Sequence, residues 1–263
     1  MLMQKLCNNL QTKNQELVEE HAAVAKQMEE LRLNLSLALP HELRTPLAAI
    51  LGFSHYLLSL DSEQLPEPDA ILGMQAAIYD SALRMQRLIE NYLLYAKLRL
   101  MESTPEGRGR EVWQSDKAIY TESLITSVVL SKVKKAQRRD DLRIETVEAE
   151  IRISDKSLQK IVEELIDNAL KFSKPGTPIH IVTQLNNQHW ILRITDQGRG
   201  MTADQIADIG AYMQFERKRY AQQGSGLGLA IARLLAQLNN GELTIESVPK
   251  QGMTVTVVFK QKT

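Results

Sequence analysis

Hydrophobic and polar positions change their rhythm twice along this chain. In the first stretch Cys7, Asn14, His21, Met28 and Leu35 lie seven apart. Leu10, Leu17, Val24, Leu31 and Ala38 follow each of them by three residues. An apolar seam of this period predicts a coiled coil over residues 1–38. Asn14 and His21 are polar seam residues, which weaken the contact but favour one register and two strands. An amphipathic helix lying on its own domain is the alternative. No glycine interrupts the segment, and its first proline is Pro40.

A second rhythm covers residues 39–101. Leu43, Leu47, Ile50, Ser54 and Leu57 keep a 3–4 spacing after a phase shift. A polar stretch with Pro66 and Pro68 breaks it. Ile71, Met74, Ile78, Ser81, Met85, Leu88, Tyr92 and Tyr95 then form one stripe. Two helices joined by a short loop make a hairpin. One hairpin cannot cover both stripes, whereas two can, as a four-helix bundle. The pattern therefore predicts a homodimer. Residues 102–116, rich in Gly, Pro, Ser and charge, read as a linker. From 117 to 263 helical periodicity at 121–137, 155–172 and 226–239 alternates with strand-like runs at 151–153, 179–185, 190–195, 243–247 and 254–260. This mixture predicts an α+β two-layer domain.

Composition narrows the options. Basic and acidic residues balance at 32 each, which gives no sign of nucleic-acid or membrane-surface binding. The single cysteine excludes a disulfide framework within the chain and suits a reducing compartment. No apolar run is long enough to span a bilayer, and the first residues do not read as a signal peptide. The chain is expected to be cytoplasmic, or the cytoplasmic part of something longer, without direct membrane insertion.

Four stretches could carry chemistry. Leu39, Leu43 and Leu47 can face a bundle core, leaving His41 off that stripe with Thr45 one turn beyond. A neutral imidazole can attack phosphorus while a neighbouring carboxylate, here Glu42, takes its other proton. In Glu163–Phe172, Glu164, Asn168 and Lys171 share a polar stripe opposite Ile161 and Leu165. Such oxygen donors suit Mg²⁺, and Lys171 could meet a phosphate as a point charge. Asp196-Gln197-Gly198-Arg199-Gly200-Met201 follows an apolar strand. It sets a carboxylate, able to accept from an exocyclic amine such as adenine's, beside a close-approaching backbone. Gly224-Ser225-Gly226-Leu227-Gly228-Leu229-Ala230 leads into an apolar helix and offers backbone N–H groups to phosphate. Taken singly, each is equally a solvated helix face or a tight turn.

Their order and spacing resemble those of the histidine kinases. His41-Glu42-Leu43-Arg44-Thr45-Pro46-Leu47 is similar to the family's H box, 164–172 to its N box and 196–201 to its first glycine box. Met213-Gln214-Phe215-Glu216 is similar to the F box, and 224–229 to the second glycine box. The resemblance implies a dimerisation and phosphoacceptor domain followed by a Bergerat-type ATP-binding domain. It implies that His41 accepts phosphate, with Glu42 as assisting base and Thr45 positioning water for dephosphorylation of a partner. Asn168 would bind Mg²⁺ with Glu164 beside it, Lys171 would contact phosphate, Phe172 would pack near the nucleotide and Asp196 would recognise adenine. Gly198, Gly200, Gly224, Gly226, Leu227 and Gly228 would shape the pocket, and Met201–Ser225 would form a lid. The implied partner is a response-regulator receiver domain.

Two residues depart from the pattern. Pro40 stands where a small or hydroxyl residue is common and should bend the helix before the acceptor. Glu164 stands where Asn is common. The basic run Arg217-Lys218-Arg219 lies in the expected lid, as a phosphate contact or a solvated face. Two rival functions are a non-catalytic signalling scaffold and an ATPase sharing the nucleotide fold. Intact His41, Asn168 and Asp196 disfavour the first. The second has no use for His41 on a bundle helix.

Overall fold

The protein is described from a computed structural model. It describes residues 13, 15, 18, 22, 25, 29, 42–60, 66–103, 112–115, 117–186, 188–207, 209 and 227–260. The chain forms two compact units, Met1–Pro105 and Glu106–Thr263.

In the first unit a helix covers residues 42–58 (α1) and a second covers Pro68–Ser103 (α2). Proline suits the opening of α2, because the first turn of a helix has no internal partner for its N–H groups. At 36 residues α2 is about 54 Å long. Leu88, Tyr92, Tyr95, Leu98 and Met101 are buried along one stripe of it. Leu47 is exposed, whereas Pro46 is buried. Exposed Leu51, Leu58, Leu72 and Leu93 also remain on the two helices. One copy therefore leaves apolar surface uncovered on both helices. All the coiled-coil seam residues, Pro40 and His41 lie outside the described residues; the described residues of that segment, 13, 15, 18, 22, 25 and 29, are helical, exposed and off the seam.

The second unit opens with β1 (Ala118–Tyr120) and α3 (Thr121–Lys135), then β2 (Leu142–Glu145), β3 (Glu150–Arg152) and α4 (Asp155–Phe172). Strands β4 (Ile179–Asn186) and β5 (His189–Asp196) precede the short α5 (Ala203–Ala207) and α6 (Leu227–Leu238). A hairpin of β6 (Gly241–Val248) and β7 (Gly252–Lys260) follows. The main sheet has order β2-β4-β5-β7-β6, and β1 pairs with β3 separately. Only the β2–β4 pairing in the main sheet is parallel. Alternation along the strands sends Ile181, Trp190, Leu192, Ile194, Val255 and Val257 into the core. Helices α3, α4 and α6 form the covering layer, giving the expected two-layer α+β architecture.

Helix α4 shows how the sequence builds this layer. Ser154 caps it, accepting from the Ser157 N–H at 3.4 Å. Leu158, Ile161, Val162, Leu165, Ile166 and Ala169 recur at helical spacing and are all buried. Asp155 in the first turn and Lys171 in the last complement the helix dipole. The segment read as linker is partly structured. Glu102 and Ser103 finish α2. Residues 112–114 pack within the second unit: Ser154 and Ser157 hydroxyls donate to the Val112 and Trp113 carbonyls at 2.8 and 2.6 Å, and Gln114 donates to the Leu238 carbonyl. Strands β1 and β2 and helix α5, each five residues or fewer, were not picked out from the sequence.

Candidate functional site: a buried carboxylate beside a glycine-lined helix pair

Asp196 is the last residue of β5, a strand bonded on both sides, so its backbone is fixed by Ile179 and Met253. Its side chain is only 4% of the way to full exposure. The Gly198 N–H donates to Asp196 Oδ1 at 2.7 Å. Burial pushes the carboxyl above its ordinary range, while the Gly198 N–H and the charge of Arg138 pull the other way. A buried, well-placed carboxylate with one oxygen engaged keeps the other for an amine donor.

The glycine-rich loop behind it is closely packed. A Cβ on Gly198 would lie 2.6 Å from both Asp196 Oδ1 and the Phe172 carbonyl oxygen. Gly200 has φ +63°, and a Cβ there would run into the Val248 carbonyl. The turn between β6 and β7 braces this loop. Lys250 N–H donates to the Arg199 carbonyl at 2.6 Å, and Met201 N–H donates to Ser247 Oγ at 2.8 Å. Gly252, at φ +116°, lets β7 start hard against the Asp196 carbonyl. Neither Gly252 nor this turn was picked out from the sequence. The Gly252 signal, a glycine opening a strand, is common and points nowhere by itself.

Asn168 and Glu164 project from α4 towards the start of α6. A Cβ on Gly228 would lie 2.5 Å from Glu164 Oε2 and 3.3 Å from Asn168 Nδ2. Without a side chain at Gly228, α6 starts in a close-fitting cradle of that carboxylate and amide. Lys160 pairs with Glu164 Oε1 at 2.6 Å, leaving that carboxylate tied on one side. Buried Leu227 opens α6, whose first N–H groups and positive dipole end face this region. Among the described residues no three His, Cys, Asp or Glu side chains gather as a metal-binding group. The donor set fits a Mg²⁺ ion that shares substrate phosphates and keeps its waters, rather than an all-protein cage.

Lys171 lies 5.0 Å from the Phe172 ring centroid, so its charge is beside the aromatic ring. The Arg199 guanidinium lies over the same ring at 4.1 Å and is partly desolvated. Phe172 is half-buried between these cations and the glycine loop. On α1, Glu42 is half-buried and engaged, and Thr45 is exposed. His41, Gly224, Gly226, the 213–216 motif, the 217–219 run and most of the expected lid lie outside the described residues.

Residues 135–263 match the family described as "Histidine kinase-, DNA gyrase B-, and HSP90-like ATPase", and residues 31–100 match "His Kinase A (phospho-acceptor) domain". The chain belongs to the two-component sensor histidine kinases. Sensor histidine kinase YvrG of Bacillus subtilis is 28% identical over 236 residues, covering 85% of this chain and 37% of that one. Sensor protein CreC of Escherichia coli is 29% identical over 226 residues, covering 84% of this chain and 44% of that one. The chain thus spans less than half the length of these relatives. The solved histidine kinase AdeS of Acinetobacter baumannii shares the fold, with a TM-score of 0.60, 18% identity, and coverage of 84% of this chain and 97% of that one. The family match places an ATP-binding domain over Asp196, Asn168 and Gly228, and a phospho-acceptor domain over His41. No helix among the described residues is long and apolar enough to cross a membrane.

Proposed function

We propose that this chain is an ATP-dependent protein-histidine kinase that phosphorylates His41 and passes the phosphoryl group to an aspartate of a response-regulator receiver domain. The observation that carries the reading is the buried Asp196 carboxylate, braced by Gly198 and set in the same unit as the Asn168–Glu164–Gly228 cradle. The first can accept from an exocyclic amine; the second sets the oxygen donors of α4 against the opening of α6. The homodimer through the helical hairpin and a cytoplasmic setting belong to the same proposal.

The residues divide the work. Asp196 would select adenine, and Phe172 would flank the base. Backbone N–H groups at the start of α6, with Leu227 and Gly228, would receive phosphate oxygens. Lys171 would contact phosphate by swinging off the Phe172 ring. Gly198 and Gly200 would keep the loop close to the nucleotide. Asn168 and Glu164 would hold Mg²⁺, which when bound neutralises charge on the phosphates. His41 would attack the γ-phosphorus in line as the bond to ADP breaks, and Glu42 would take the other ring proton. Acceleration would come mainly from positioning and electrostatics. Thr45 would orient the water that hydrolyses the partner's aspartyl phosphate, releasing inorganic phosphate.

Incubation with γ-labelled ATP and Mg²⁺ tests this. Acid-labile, base-stable label is expected on the wild-type chain and absent from His41→Ala. Chelation of Mg²⁺ should abolish labelling. Hydrolysis of ATP with no label on protein would support the ATPase reading instead, and nucleotide binding without turnover would support the scaffold.

A further inference from the structure

We infer that Arg138, outside every motif above, is a positioning residue for base recognition: its guanidinium holds the loop after α4 in the place that lets the Asp196 pocket form. The inference rests on the pocket being an ATP site.

Arg138 follows α3 and is buried. Nε donates to Asp141 Oδ2 at 2.6 Å. Nη1 donates to the carbonyls of Leu170 and Ser173 and to Ser173 Oγ, at 2.9, 3.1 and 3.0 Å. Nη2 donates to the carbonyls of Lys174 and Thr177 at 2.7 and 3.2 Å. One planar fork therefore gathers four backbone carbonyls between 170 and 177. A lysine, a single point charge, cannot reproduce that geometry. The carbonyls at the end of α4 have no helical partner, and a cation there also opposes the dipole's negative end.

The gathered segment carries Phe172. The Phe172 carbonyl accepts from the Arg199 N–H at 3.3 Å and lies against the space left by Gly198. Gly198 in turn donates to Asp196. A shift of the loop thus reaches the carboxylate through two contacts. Asp141 completes the clamp by accepting from the Gly176 N–H at 3.0 Å as well. A part with only a stability role would not set which base is accepted; a positioning part would.

The test uses the full chain with Arg138→Lys, Asp141→Asn and, as a control in the α3 core, Val129→Ala. Each is measured for folding by circular dichroism, for KM and kcat in autophosphorylation, and for the KM ratio of ITP to ATP. ITP lacks the amine that Asp196 would read. Arg138→Lys should raise KM for ATP about tenfold, the size of one misaligned hydrogen bond to a charged group. Its kcat at saturating ATP should hold within about twofold, and its ITP/ATP ratio should fall towards one. Asp141→Asn should move both quantities the same way by less. Val129→Ala should melt earlier with KM and ratio unchanged. If Arg138→Lys does not fold, the Asp141→Asn shift decides alone. Wild-type KM and ratio in the folded clamp variants would overturn the inference and leave the ATP reading standing. A wild-type chain that binds no nucleotide would overturn both.

Discussion

Asp196→Asn should separate nucleotide recognition from stability, and in opposite directions. The substitution keeps the size of the side chain and an oxygen for the Gly198 N–H. It removes the charge and turns one acceptor into a donor. A hydrogen bond to a charged group contributes about 1.5–3 kcal/mol against about 0.5–1.5 for a neutral one. The difference, roughly 1–2 kcal/mol, weakens ATP binding about 5- to 30-fold, and opposing two amines adds to that. Folding responds the other way. Burial raises the carboxyl above its ordinary value. The folded chain therefore holds this proton more tightly than the unfolded chain. Stability from this group is full below the unfolded value and is lost as pH rises through the folded one. At neutral pH the buried carboxylate is a liability to the fold. Asn should thus melt at the same or a higher temperature at pH 7, and the gap should close as pH falls below about 4. Thermal melts across that range, beside calorimetry with ATP, measure both effects. An Asn variant that melts several degrees early at pH 7 while still binding ATP as tightly as wild type would refute the argument.

Other outcomes follow from the same geometry. His41→Gln should lose label while binding ATP like wild type in calorimetry. Gly200→Ala must adopt φ +63° and displace the Val248 carbonyl; it should lose roughly 1–3 kcal/mol in urea unfolding and bind ATP more weakly. Ser154→Ala loses the α4 cap and the bond to Val112. It should cost about 1–2 kcal/mol in urea unfolding with KM for ATP unchanged.

What the sequence told, and what it withheld, divides by distance along the chain. Helix α4 was legible to the residue because its apolar period, cap and last turn are all local. The end of β5 at Asp196 was legible because an apolar run stops there before glycine. Arg138 looks like one more member of the basic run Lys134–Arg139. Its role is created by carbonyls more than thirty residues later. Arg199 carried no role of its own in the sequence reading, yet its position over Phe172 joins two motifs that are separate in sequence. Lys171 was placed by motif near phosphate; the structure adds that its charge lies beside the Phe172 ring.

The hairpin joining β6 to β7 has a practical corollary. Exposed loop tips are where insertions and grafts usually succeed. Val248, Pro249, Lys250 and Gln251 are all exposed, so this tip invites such use. Its main chain, however, grips Arg199 and fills the slot behind Gly200. Splicing a tag there would unseat the glycine loop from behind. The bend between β4 and β5 stands at the opposite end of β5 from Asp196, and is where a reporter domain should be tolerated.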